Sequence, residues 1–224
     1  LQARTSLHRV IATNIKEYLP AHLRLLFTVA KEKKEGHRIQ LQPGDLWWED
    51  LMRQHAAAPR PDVPLALDDP AILLFSGGTT GTPKAALGTH HALLMSAMQL
   101  QAYGRTALAD WDDIVTLVMP MFHVYGNMAL NTSLVARWPM AVVPNPRDID
   151  DLIDTIRKVR PAVLHGVPTL FIALLNHPKV KAGQVDFKSM KVCYAGAAPL
   201  LAETKRRFEA LTGGRLLDAY GMTE

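Results

Sequence analysis

The sequence predicts an α/β fold, a sheet layered with helices, and three observations carry that reading. Short aliphatic and β-branched runs alternate with longer runs of helical apolar period along most of the chain. The 224 residues are 48% hydrophobic, the composition of a globular chain long enough to bury a sizeable core. No internal repeat or low-complexity tract interrupts the alternation.

In chain order, residues 7–13 form a strand candidate. Residues 15–35 are helical in pattern, with Pro20 breaking or restarting the run. Asp45 is placed to cap a helix that runs to Arg53. Residues 55–70 hold Pro59, Pro61, Pro64 and Pro70 with an alanine run, and read as a connector. The chain thus divides into a leading α/β segment (1–54), a connector (55–70) and a core segment (71–224). Residues 71–75, Ala-Ile-Leu-Leu-Phe, read as a buried strand. Residues 85–88 read as a short strand, and Thr89 as the N-cap of a helix over 89–108 whose apolar period runs through 92–100. Then follow a strand at 114–119, a helix near 127–135, a strand at 140–143 and a helix at 149–159. A strand at 162–165, a helix at 168–175, a strand at 190–195, a helix at 200–211 and a strand at 215–219 complete the pattern.

Between the strands at 71–75 and 85–88 lies a segment built to hold phosphate. Residues 76–84 read Ser-Gly-Gly-Thr-Thr-Gly-Thr-Pro-Lys. Gly77, Gly78 and Gly81 let the backbone approach an anion closely, and successive free N–H groups in such a turn form an anion nest. Ser76, Thr79, Thr80 and Thr82 add hydroxyl donors, and Lys84 ends the loop with a cation for the terminal phosphates. Pro83 before Lys84 and Ala85 after it exclude a Walker A loop, which places Gly before the Lys, Ser or Thr after it, and then a helix. A mobile Gly/Thr surface loop is the plain alternative.

Other conspicuous residues have ordinary explanations. Asp148, Asp150, Asp151 and Asp154 sit at a helix start, where acidic residues complement the helix dipole. His90 and His91 lack the spacing of a zinc site. Cys193, the single cysteine, falls in a strand and reads as core; it excludes an internal disulfide framework and fits a reducing, cytoplasmic setting. The formal charge of +4 is spread over mixed-sign runs, which gives no basic stripe for nucleic acid. No segment reaches the roughly 18 apolar residues of a membrane span. Residues 18–38 carry Leu19, Leu23, Leu25, Leu26, Phe27 and Val29 before a Lys-rich stretch, a pattern compatible with peripheral contact on a membrane surface. Burial within the domain is the favoured reading. Chain length and composition leave the oligomeric state open.

At the Gly/Thr loop the chain resembles the adenylate-forming superfamily of acyl-CoA synthetases, adenylation domains and luciferases. The loop departs from that family's pattern at Gly77, where Ser is usual, and at Ala85, where Gly is usual. The Gly-Gly-Thr-Thr-Gly version is similar to that of bacterial long-chain fatty acid–CoA ligases. Three further segments are similar to the family's in the same order. Residues 119–126, Met-Pro-Met-Phe-His-Val-Tyr-Gly, resemble the aromatic-His motif beside an acyl pocket. Residues 194–200, Tyr-Ala-Gly-Ala-Ala-Pro-Leu, resemble the adenine-side strand and turn. Residues 218–224, Asp-Ala-Tyr-Gly-Met-Thr-Glu, resemble the motif for adenine, α-phosphate and magnesium.

The resemblance implies an ATP-dependent fatty acid–CoA ligase, with fatty acid, ATP and coenzyme A as small-molecule substrates and Mg²⁺ as the metal. Ser76–Thr82 and Lys84 would hold the β- and γ-phosphates. Gly196, Ala197, Ala198 and Pro199 would form the adenine slot, with Gly196 also walling the acyl tunnel. Asp218, Ala219, Tyr220, Gly221, Met222 and Thr223 would complete the nucleotide site, Tyr220 against adenine and Thr223 on the α-phosphate. Glu224 would hold the metal. His123, Tyr125, Gly126 and Val167 would lie on the acyl side, with His123 gating the tunnel or orienting the carboxylate; the alternative for His123 is a satisfied core residue. Lys84, His123, Thr223 and Glu224 are the residues expected to bear on the chemistry. The same resemblance implies a truncated N-terminal domain with a nucleotide-binding core at 71–224, ending before the family's C-terminal catalytic-lysine domain and inactive alone. Two alternatives stand beside it: an adenylate-forming enzyme for an aryl or amino acid, and a nucleotide-binding fragment without turnover.

Overall fold

The structure is a computed structural model that describes residues 5–76, 84–109 and 112–223. The chain separates into two compact units, Leu1–Pro64 and Leu65–Glu224.

The first unit pairs two short parallel strands, β1 (Ile11–Ala12) and β2 (Leu46–Trp47). A 3-10 turn (Ile15–Tyr18) leads into helix α1 (Ala21–Ala30), and helix α2 spans Trp48–Gln54. Buried Asn14 ties these pieces together. Its side chain accepts from the Lys16 amide, and its Nδ2 donates to Glu32 Oε1 at 3.1 Å and to the His37 carbonyl at 2.9 Å. Glu32 is neutralised by Lys16 Nζ at 2.6 Å. Two expectations fail in this unit. Asp45 does not cap α2: it accepts from the Gln42 amide at 2.8 Å, closing a turn, and β2 intervenes before the helix. The apolar side of α1 is not buried, and Val29 is 81% exposed.

The second unit opens with a hairpin. Strand β3 (Pro70–Ser76) runs antiparallel to β4 (Lys84–Thr89), with Ser76 opposite Lys84. The loop therefore joins two strands, as its composition predicts. The strand is not buried on both faces, however: Leu74 is buried, whereas Leu73 and Phe75 are 58% and 69% exposed. Thr89 caps helix α3 (His90–Gly104), its hydroxyl accepting from the Ala92 amide at 3.2 Å.

A five-stranded parallel sheet forms the centre of this unit. Its strands are β5 (Val115–Leu117), β6 (Met140–Val142), β7 (Val163–Gly166), β8 (Val192–Gly196) and β9 (Arg215–Ala219), in the order β6-β5-β7-β8-β9. The crossovers carry α4 (Val124–Ala136), α5 (Ile149–Val159), α6 (Pro168–Asn176), the short α7 (Pro178–Lys181) and α8 (Ala202–Thr212). Strand period two sends successive side chains into two cores. Leu164, Cys193, Ala195 and Leu216 pack with Ile153 and Ile156 of α5, Phe171 of α6 and Phe208 of α8. Val115, Leu117, Val163 and Val192 pack on the other face with Ala129 and Ala136 of α4. The sheet is thus sandwiched, the arrangement that parallel strands require. Asp148 caps α5 by accepting from the Asp151 amide at 3.0 Å, and Asp150 pairs with Lys179 of α7 at 2.6 Å. The acidic run is therefore used structurally. Among the described residues no helix is long and apolar enough to cross a membrane.

Candidate functional site

A cavity of ≈220 Å³ opens beyond the carboxyl ends of β8 and β9, the end of a parallel sheet where ligands bind. Gly196 and Ala197 close one side, and residues 219–222 continue from β9 to close another. Leu74 reaches it from β3. Leu93, Ser96 and Ala97 supply one face of α3, and Val124, Asn127, Met128 and Asn131 one face of α4. These positions follow the i, i+3, i+4 rule of a helix face. Val124 apart, no short motif contains them, so the sequence reading missed them. Their spacing is visible in the sequence, but that α3 and α4 share one cavity is not.

Small residues keep the space open. A Cβ on Gly196 would lie 3.0 Å from Tyr125 Cε1. The Tyr125 ring is fixed there, its hydroxyl donating to the Tyr194 carbonyl at 2.8 Å, and burial raises its phenol well above the usual range. Ala197 turns the chain out of β8 with φ +67°, a left-handed conformation uncommon outside glycine. Ala198 and Pro199 continue that turn at the surface. In the strand register Asp218 lies opposite Ala195 and Ala219 opposite Gly196. Tyr220 follows, 92% exposed at the rim.

His123 is neither buried nor incidental. It is the N-cap of α4, with Nδ1 accepting from the Tyr125 amide at 3.2 Å, and it lines the cavity. In the neutral ring this leaves the proton on Nε2, a donor. The reading of His123 as a satisfied core residue is therefore set aside. Because His123 caps the helix, α4 starts before the expected residue 127.

Two residues expected on the acyl side do not line the cavity. A Cβ at Gly126 would meet the Pro120 carbonyl oxygen at 2.2 Å, so this glycine lets the first turn of α4 press on the preceding backbone. Val167 precedes α6 as its N-cap residue and packs on the core beneath the sheet. Among the residues expected to hold phosphate, Ser76 shares a strand face with Leu74, and its hydroxyl donates to the Lys84 carbonyl at 3.3 Å. Gly77, Gly78, Thr79, Thr80, Gly81 and Thr82 lie outside the described residues, as does Glu224. Cys193 is buried in β8, and burial pushes its thiol up to about 12.

Residues 7–224 match the family model described as AMP-binding enzyme. A long-chain-fatty-acid–CoA ligase of Bacillus subtilis (strain 168) is 30% identical over 221 residues, an alignment covering 96% of this chain and 38% of that protein. One of Escherichia coli O157:H7 is 33% identical over 225 residues, covering 99% of this chain and 36% of that protein. The chain thus spans well under half the length of these relatives. Among solved structures, ATP-bound MatB from Rhodopseudomonas palustris superposes with a TM-score of 0.68 at 28% identity, covering 97% of this chain and 40% of that one. The anthranilate CoA ligase AuaEII in complex with anthranoyl-AMP gives a TM-score of 0.69 at 21% identity, covering 97% of this chain and 41% of that one, a likeness of fold alone.

Proposed function

Because the chain belongs to the AMP-binding enzyme family, we propose that it forms part of the ATP and acyl site of a fatty acid–CoA ligase. The observation that carries this reading is the mainly apolar cavity at the ends of β8 and β9, set between His123 and the exposed Tyr220. A thioester does not form directly from a carboxylate, because oxide is a poor leaving group. Attack of a carboxylate oxygen on the α-phosphorus of ATP breaks the bond to the β-phosphate, releasing pyrophosphate and giving a mixed anhydride. Attack of the coenzyme A thiolate on the acyl carbon then expels AMP.

The protein's share of this chemistry is to position the reactants and offset developing charge. On this reading Gly196, Ala197 and Tyr220 take the flat adenine, and Thr223 bonds the α-phosphate. Ser76, the loop that follows it and Lys84 take the outer phosphates. His123 donates from Nε2 to the carboxylate, holding it for attack. It is not a general base, since a carboxylic acid is already ionised at neutral pH. Glu224 would supply a carboxylate to Mg²⁺, a hard cation that takes oxygen ligands. When bound, it neutralises charge on the phosphates.

The test is acid-dependent ATP–pyrophosphate exchange in the full-length protein across fatty, aromatic and amino acids. Fatty acids should support exchange, and His123→Ala should lower kcat/KM by roughly 10- to 100-fold, the scale of one lost polar contact in the transition state. Preference for an aromatic or amino acid would replace the substrate class. Absence of exchange with every acid, alongside intact ATP binding, would leave a nucleotide-binding protein without turnover.

A further inference from the structure

Beside the main cavity lies a second chamber of ≈50 Å³, and Tyr125, Met128 and Ala219 are walls of both. Thr132 of α4, Trp138 and His165 of β7 also line the smaller one. Each of these three carries a buried polar atom with no hydrogen-bond partner: Thr132 Oγ1, Trp138 Nε1 and His165 Nδ1. They make up half of the six such side-chain atoms among the described residues, and all three belong to residues that line one small space. Buried polar atoms are nearly always paired, because leaving one unpaired forfeits its hydration. A chamber of this size has room for a hydroxyl group or a water.

The three groups also have a direction. An indole N–H only donates, and a threonine hydroxyl both donates and accepts. His165 is held neutral by burial, which lowers it to about 4, so one ring nitrogen accepts. A hydroxyl oxygen accepts from Trp138 and donates to His165 or Thr132, whereas an alkyl end leaves all three unpaired. A second carboxylate does not fit: among the described residues no charged side chain lines the chamber, and an unpaired buried ion is costly.

We propose that this chamber is the far end of the acyl site, and that the acid it takes carries a neutral hydroxyl group at its distal end, held by Trp138, Thr132 and His165. The proposal rests on the ligase reading of the main cavity and deepens it by naming the substrate class. Thr132, Trp138 and His165 then act as specificity residues, remote from the reacting carboxylate.

The experiment compares straight-chain acids with their ω-hydroxy counterparts of matched length, by acid-dependent ATP–pyrophosphate exchange in the full-length protein. At the best length the hydroxy acid should be favoured at least about tenfold in kcat/KM, since a site built to bond a hydroxyl discriminates against an analogue lacking it. Thr132→Val, which nearly preserves volume, and Trp138→Phe should each bring the ratio close to parity, while Thr132→Ser retains it. The Trp138 indole N–H resonance, identified by its absence in Trp138→Phe, should move with the hydroxy acid and stay with the plain one. Preference for plain acids with that resonance unmoved overturns the proposal and leaves the ligase reading standing, the chamber then holding only water. Failure of every acid to support exchange overturns both.

Discussion

At Gly126 and at Gly196 the absence of a side chain serves different ends. The first lets α4 begin directly over the Pro120 carbonyl, where a methyl group would meet backbone at 2.2 Å; the second gives room to the Tyr125 ring beside the cavity. His165, stacked on Tyr194 at 5.1 Å, is the residue whose environment has a pH signature. Burial lowers its pKa from 6.5 to about 4. Above pH 6.5 both folded and unfolded chains hold the ring neutral, and it adds no pH dependence. As pH falls from 6.5 toward 4 the unfolded chain binds a proton that the folded chain does not. Stability therefore falls with pH in that window, by up to about 1.4 kcal/mol per unit. Urea unfolding at intervals between pH 7 and 4 should show this slope, and His165→Gln should flatten it relative to the unaltered protein. Equal slopes in the two proteins would mean that His165 titrates freely in the folded state.

Helix ends decide how well the elements can be read. Asp148 holds α5 through one side-chain bond to the Asp151 amide, at the start of a helix whose Leu152, Ile153 and Ile156 are fully buried. Asp148→Ala should cost about 1 kcal/mol by chemical denaturation, and Asp148→Ser should recover most of it. An unchanged midpoint in Asp148→Ala would show that packing alone fixes this end. Asp148 was legible only as an acid at a helix start, whereas the cap at Thr89 was legible because a capping side chain and the apolar period agree at one position. Asp45 looked the same but forms a turn with Gln42, a choice between two local hydrogen bonds that composition does not settle. Strand β3 was legible as a strand but not in its burial, because an aliphatic run reads the same whether one face or two are covered. Helix α7 escaped because only His177 separates it from α6 and it is four residues long. The site divides likewise. His123, Gly196 and Tyr220 stand in motifs that sequence displays, whereas Ser96, Met128 and Asn131 meet only when α3 and α4 come together. The polar set of Thr132, Trp138 and His165 is spread over α4, the loop that follows it and β7, and no periodicity links them.

Across the whole chain, the question is which residues share one cooperative core. Both buried clusters draw their members from residues 108–217, all within the second unit. The first unit instead relies on polar ties around Asn14 and Glu32. Between the last turn of α2 and the hairpin, residues 58–65 carry no regular structure and are exposed, with Val63 and Leu65 62% and 64% accessible. Exposed backbone of this kind is where proteases enter first. Trypsin is poorly suited, because Pro61 follows Arg60. Thermolysin, which cuts before large apolar residues but not where proline follows that residue, should nick first between Pro64 and Leu65. The expected product begins near Leu65 and keeps both buried clusters, so it should unfold in one cooperative transition and retain the acid-side loss of stability assigned to His165. A first cut inside the parallel sheet, or a product that melts without cooperativity, would mean that the leading residues belong to the same folding unit as the core. That outcome would matter for the site as well. A cavity built from β3, α3, α4, β8 and β9 needs nothing from the first unit to exist, and the nicked protein should still hold the Tyr125 ring against Gly196.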